Sequence, residues 1–120
     1  MLPDGHGVIV NNASAGGLIG DPNAAYVTMK HGVVDITRAA SRQYEGEGLR
    51  FNAVCPGWID TEMTGAWKDD PERSDYVLSL QSVKRYGEAH EVAALVQWLC
   101  SAAAAFVNGV AWPIDCGLSA

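Results

Sequence analysis

Three short apolar runs alternate with two long helix-like stretches along this chain, and no other feature of the sequence constrains its fold as tightly. The first run, Val8-Ile9-Val10, is β-branched and passes into Asn, Ser and Gly, which is the pattern of a buried strand over residues 7–12 leading into a loop. Pro22 and Asn23 then open a helix expected from Asn23 to Tyr44, in which Val27, Val33, Val34, Ile36, Ala40 and Tyr44 recur at helical spacing. Glu45-Gly46-Glu47-Gly48 ends it. Leu49 to Cys55 reads as a second strand, residues 88–101 as a second long helix packing Val92, Leu95, Val96 and Leu99, and Gly109 to Ile114 as a third strand. Residues 57–82 read as an irregular acidic stretch carrying Trp58, Met63, Trp67 and Tyr76; its six acids from Asp60 to Asp75 suit a solvated loop or short helix, and Trp58, Met63 and Trp67 either line a pocket or bury a flap. Strand–helix–strand–helix–strand predicts an α/β fold with a parallel sheet and right-handed crossovers. Three strands leave an open sheet edge, which is an association hazard.

Composition narrows the function classes. The chain has 120 residues, 48% of them hydrophobic, which suits one small domain over residues 1–120. Its formal net charge of −6 disfavours nucleic acid or an anionic membrane as partner. No apolar run is long enough to span a bilayer and no signal peptide is evident, so a cytoplasmic location is expected. Cys55, Cys100 and Cys116 show no ligand spacing and are expected as buried free thiols. His6, His31 and His90 are scattered, so no metal site is expected.

The chemistry-bearing residues cluster around the first strand exit. Tyr26 and Lys30 are four residues apart, about one helical turn, so phenol and ammonium project from the same helix face. An ammonium beside a phenol favours the phenolate, which can exchange a proton with an alcohol or carbonyl. Ser14 follows the first strand, where ligands of open α/β sheets bind. The second strand runs into Pro56-Gly57-Trp58-Ile59-Asp60-Thr61, and the third into Asp115-Cys116-Gly117.

In this order the motifs resemble the C-terminal half of the short-chain dehydrogenase/reductase family. The matching pieces are Ile9-Val10-Asn11 leading to Ser14, the loop Gly17-x-x-Gly20-x-Pro22, Tyr26-x-x-x-Lys30, Asn52-Ala53-Val54-x-Pro56-Gly57-x-Ile59-x-Thr61, and Asp115-x-Gly117. Arg85-Tyr86-Gly87-Glu88, before the second long helix, also looks like the family's. The resemblance implies the C-terminal portion of a Rossmann-type doubly wound parallel sheet, with about three strands and two long helices. It implies a hydride transfer between NAD or NADP and a small alcohol or carbonyl substrate. Tyr26 would be the general acid/base, Lys30 would also hold the nicotinamide ribose, and Ser14 would bond the substrate oxygen. Pro56, Gly57, Ile59 and Thr61 would lie against the nicotinamide. It further implies a homo-oligomer paired through the two long helices. Ser14 precedes Tyr26 by twelve residues where the family usually has thirteen, which reads as a shortened loop between Gly20 and Tyr26. The family's N-terminal, phosphate-binding half has no counterpart in these residues, so NAD and NADP are not distinguished.

Two other function classes fit parts of the sequence. The chain could be an inactive fragment that serves only as an oligomerisation module through its apolar helices. More remotely, Ser14-Ala15-Gly16 half resembles a serine-hydrolase nucleophile elbow, but the glycine expected two residues earlier is Asn12, and only His31 and His90 follow as possible bases.

Overall fold

The structure is a computed structural model that describes residues 1–120. Its sheet has three parallel strands in the order β1 (Gly7–Asn12), β2 (Leu49–Pro56), β3 (Ala111–Ile114). The helices are α1 (Ala24–Gln43), α2 (Gly65–Lys68), α3 (Pro71–Ser79) and α4 (Ala89–Cys100). In register, Asn11 pairs with Ala53, and Ala53 with Ala111. β3 contains Pro113, which cannot donate to a ladder and is tolerated because β3 is an edge strand.

Alternation along the strands assigns the two long helices to opposite faces. Ala53, Cys55 and Ala111 pack with Ala13, Val33 and Val34, and Phe51 stacks on Tyr44 at 5.6 Å, so this face belongs to α1. Trp112 points the other way and meets Trp98 of α4 edge-on at 5.7 Å, while Arg50 reaches back to the Leu99 carbonyl at 2.9 Å. Both connections step in the same direction across the sheet. With their helices on opposite faces, the two crossovers have opposite hands, so the expectation of right-handed crossovers throughout is corrected.

Helix starts follow local chemistry. Asn23 Oδ1 accepts the Tyr26 N–H at 3.1 Å and caps α1. The stretch expected to be irregular folds into the short helices α2 and α3, so of the two readings for its acid-rich part the short helix is the one the structure shows. Asp70 accepts the N–H groups of Glu72 and Arg73, and Pro71 occupies the first turn, a start signal present in the sequence. Within it Trp58 and Trp67 pack at 5.2 Å, whereas Met63 and Tyr76 are exposed. Ile36, expected on the buried face of α1, is 63% exposed. It lies two residues beyond buried Val34, about 200° around the helix. Of the cysteines expected to be buried, only Cys55 is; Cys100 is exposed on the outer side of α4 and Cys116 half-buried.

Candidate active site

The site is assembled at the carboxyl ends of the strands. After β1 the chain makes a single tight turn, Ala15–Gly17, capped by Ser14, whose Oγ accepts the Gly16 N–H at 3.1 Å. That turn docks on α1 at Gly17. A β-carbon there would stand 2.6 Å from the Lys30 carbonyl oxygen, so only glycine lets loop and helix touch. One turn earlier in the helix, the Tyr26 ring reaches the same loop. The point where a Gly16 β-carbon would stand is 3.2 Å from Tyr26 Cε1 and 3.5 Å from Ser14 Oγ. Serine hydroxyl and tyrosine ring thus flank one position, and the shortened loop leaves Ser14 facing Tyr26. Lys30 Nζ donates to the Asn12 carbonyl oxygen at 3.3 Å and stands 5.6 Å from the centre of the Tyr26 ring. Neither the Ser14 hydroxyl hydrogen nor the Tyr26 hydroxyl has a partner in the chain, so both are free to meet a substrate oxygen. The buried Cys55 thiol lies behind this loop. Burial pushes its pKa up, partly opposed by the Ser14 backbone N–H, so it stays a neutral packing group.

The second group of expected residues forms the exit of β2. Pro56 ends the strand and the Gly57 N–H donates to the Ile114 oxygen at 3.1 Å, which ties this exit to β3. Ile59 forms an isolated parallel bridge with Gly87. The Gly87 N–H donates to the Trp58 oxygen at 2.9 Å and the Asp60 N–H to the Gly87 oxygen at 2.8 Å. In a parallel bridge of this kind, Ile59's own N–H and carbonyl face away from Gly87. The carbonyl is taken by Thr64 Oγ1 at 2.5 Å, which also accepts the Thr61 N–H at 3.1 Å. The Ile59 N–H has no partner in the chain, so it is a donor a bound amide could use. The two groups sit at the ends of adjacent strands, without a direct contact between Ile59 or Thr61 and the Ser14–Tyr26–Lys30 trio.

Sequence reasoning did not single out Gly87, Thr64, Arg85 or Glu91 individually. Arg85 and Glu91 form a two-pronged ion pair, with N···O distances of 2.8 and 2.7 Å. Arg85 together with the Glu88 N–H holds the Glu91 carboxyl down to about 2, and the same pairing raises Arg85. Only the family-like Arg85-Tyr86-Gly87-Glu88 segment signalled this cluster, because Arg85 lies in a loop and Glu91 on a helix, so no single periodicity relates them. An open hollow of about 600 Å³ lies beside it, lined by Asp60, Lys68, Arg85, Tyr86, Glu88 and His90, and by none of the Ser14–Tyr26–Lys30 trio. The hydrolase alternative loses its base. His31 Nδ1 is bonded to the Val27 oxygen of its own helix and His90 is paired with Glu88, so neither histidine meets Ser14.

A parallel sheet with a serine, a tyrosine and a lysine gathered at one strand exit is the arrangement of a Rossmann-type half. Residues 1–119 match the family described as enoyl-(acyl carrier protein) reductase, and the chain belongs to the short-chain dehydrogenase/reductase family. It is 44% identical to 2-(R)-hydroxypropyl-CoM dehydrogenase of Xanthobacter autotrophicus, over 96% of this chain and 46% of that protein. Among solved structures, it superposes with a TM-score of 0.94 on a gluconate 5-dehydrogenase from Burkholderia cenocepacia in complex with NADP and tartrate, at 31% identity over 98% of this chain and 47% of that one. It matches a 4-hydroxyisoleucine dehydrogenase complexed with NADH with a TM-score of 0.91, at 32% identity over 94% and 47% of the two chains. The chain spans about half the length of the curated relatives it matches. No helix is long and apolar enough to cross a membrane.

Proposed function

We propose that this chain is the catalytic half of a nicotinamide-dependent oxidoreductase that interconverts a small alcohol and its carbonyl compound. One observation carries the reading: the Ser14 hydroxyl and the Tyr26 ring flank a single position, with Lys30 anchored at the same strand end on the Asn12 carbonyl. The nicotinamide, when bound, supplies or accepts the hydride. Everything else falls to the chain. Ser14 donates to the substrate oxygen and orients it. Tyr26 takes the hydroxyl proton as an alcohol is oxidised and returns it to the oxygen as a carbonyl is reduced. Lys30 keeps positive charge beside the phenol and reaches the ribose hydroxyls of the nicotinamide. Pro56, Gly57, Ile59 and Thr61 receive the nicotinamide, and the unpartnered Ile59 N–H suits its carboxamide oxygen.

NAD and NADP fit these residues equally, since the ribose-reading residue of the family lies in the half without a counterpart here. The outer sides of α1, where Met29 and Ile36 are exposed, and of α4, where Trp98 is 39% exposed, are where subunits of a homo-oligomer would pair. The decisive variant is Tyr26→Phe in the intact protein, assayed with NAD and NADP against secondary alcohols and ketones. A turnover loss on the order of 10²–10⁴ is expected. Wild-type turnover in the variant would refute the role of Tyr26. A wild-type protein that binds no cofactor yet self-associates would favour the oligomerisation module.

A further inference from the structure

We infer that Arg85 and Glu91 are positioning residues for the cofactor: their ion pair sets, through Gly87, the place at which Ile59 presents its N–H to the nicotinamide. This inference rests on the oxidoreductase reading above and adds to it a device that the catalytic residues do not contain.

The connection is traceable bond by bond. Glu91 lies on the first turn of α4, on the opposite side of the sheet from α1 and Tyr26. Its two carboxylate oxygens take both ends of the Arg85 guanidinium, and Oε2 also accepts the Glu88 N–H at 2.8 Å. Arg85 Nη1 donates as well to the neighbouring Tyr86 oxygen at 3.0 Å, and its carbonyl accepts Gln81 Nε2 at 2.8 Å. Residues 85–88 are therefore pinned at Arg85, at the Tyr86 carbonyl and at the Glu88 N–H, with Gly87 between the last two. Gly87 in turn holds the β2 exit by two backbone hydrogen bonds, one to Trp58 and one from Asp60. Its α-carbon faces the Ile59 side chain so closely that a β-carbon would stand 2.7 Å from Ile59 Cδ1 and 3.7 Å from Glu91 Oε2. No other element makes backbone hydrogen bonds to Trp58 or Asp60. Thr64 Oγ1 fixes the Ile59 carbonyl on one side, and the Gly87 bridge, held by the charged fork at the start of α4, fixes the flanking peptides on the other, so the direction of the free Ile59 N–H depends on both.

A lysine cannot reproduce this. The fork needs two parallel N–H donors in one plane, whereas an ammonium is a point charge. Arg85→Lys should therefore keep the charge and lose the geometry.

The test uses the intact protein and its Glu91→Ala and Arg85→Lys variants, with two readouts. The first is amide hydrogen exchange. Protection of the Gly87 and Asp60 amides should fall together in Glu91→Ala, with Arg85→Lys intermediate. The second compares reduced nicotinamide cofactor with ADP-ribose or its 2′-phosphate, which lack the nicotinamide. Affinity for the cofactor should fall roughly fivefold, the worth of one hydrogen bond, while that for the ADP-ribose analogue is unchanged. Unchanged exchange at Gly87 and Asp60, or an equal loss for cofactor and analogue in both variants, overturns the inference and leaves the oxidoreductase reading intact. Wild-type protein that binds neither cofactor overturns both.

Discussion

A β-carbon on Gly17 would stand 2.6 Å from the Lys30 carbonyl oxygen, while one on Gly20 would meet nothing within 4 Å. The two glycines belong to the same loop and look alike in the sequence, yet they carry different constraints. Gly17→Ala must push the Ser14 turn off α1. It is expected to cost about 1–3 kcal/mol of stability, as overpacking usually does, and to lower activity by displacing Ser14 from Tyr26. Gly20→Ala should be near neutral in both. Thermal denaturation of the two variants checks this, and equal melting temperatures would show that the loop is not held by this contact. The same comparison marks what was legible at this scale. Ser14, Tyr26 and Lys30 could be picked out because they fall in order among the other motifs that resemble the family. Gly17 could not be ranked above Gly20, because the need for a missing side chain exists only when another element arrives beside it.

Among the secondary-structure elements, α4 is tied to the β2 exit by charge. The Arg85 fork, and after it the Glu88 N–H, lower the Glu91 carboxyl from an ordinary 4.5 to about 2. Its folded value lies below its unfolded one, so the stabilisation is fully present above the unfolded value. It is lost as pH falls from 4.5 towards 2. The groups facing Glu91 are Arg85 and the Glu88–His90 pair at the start of α4, and Arg85 stays charged throughout. Exchange protection at Gly87 should accordingly be flat from pH 5 to 8 and drop below about pH 4, earlier than protection in the β2 core. Loss of protection already near pH 6 would mean that a group other than Glu91 controls the clamp. At this scale the sequence showed where long helices begin and end, but not the faces they cover. The hand of each crossover follows from Trp112 meeting Trp98 on one face and Phe51 meeting Tyr44 on the other, contacts between residues far apart in the chain.

As a whole the chain is looser than its length allows. Its radius of gyration is 15.7 Å, against about 14 Å for a compact domain of this size. Only 16 of 120 residues are buried, and the outer edge of β1 has no neighbouring strand. β3 carries Pro113 on its edge, whereas β1 carries no proline or charged residue to discourage pairing. The outward Met29 and Ile36 on α1 add apolar surface. These 120 residues on their own are therefore expected to self-associate, through α1 and α4 where the fold is native and through the β1 edge where it aggregates. Light scattering at micromolar concentration checks it, and a stable folded monomer would contradict it.

The sequence by itself determined the alternation of strands and helices and the parallel sheet, because periodicity is a local property of the chain, whereas Ser14, Tyr26 and Lys30 stood out through the ordered motifs of the family resemblance rather than through their spacing alone. Long-range features were decided only by the tertiary structure. Ile59 gains its meaning when Gly87, twenty-eight residues later, pairs with it and turns its N–H outward. Arg85 and Glu91 gain theirs because α4 brings them to that bridge. The physical reason is common to all three. A backbone donor or an ion pair of this kind acts through what it is placed against, and placement depends on contacts that the linear order of residues does not encode locally.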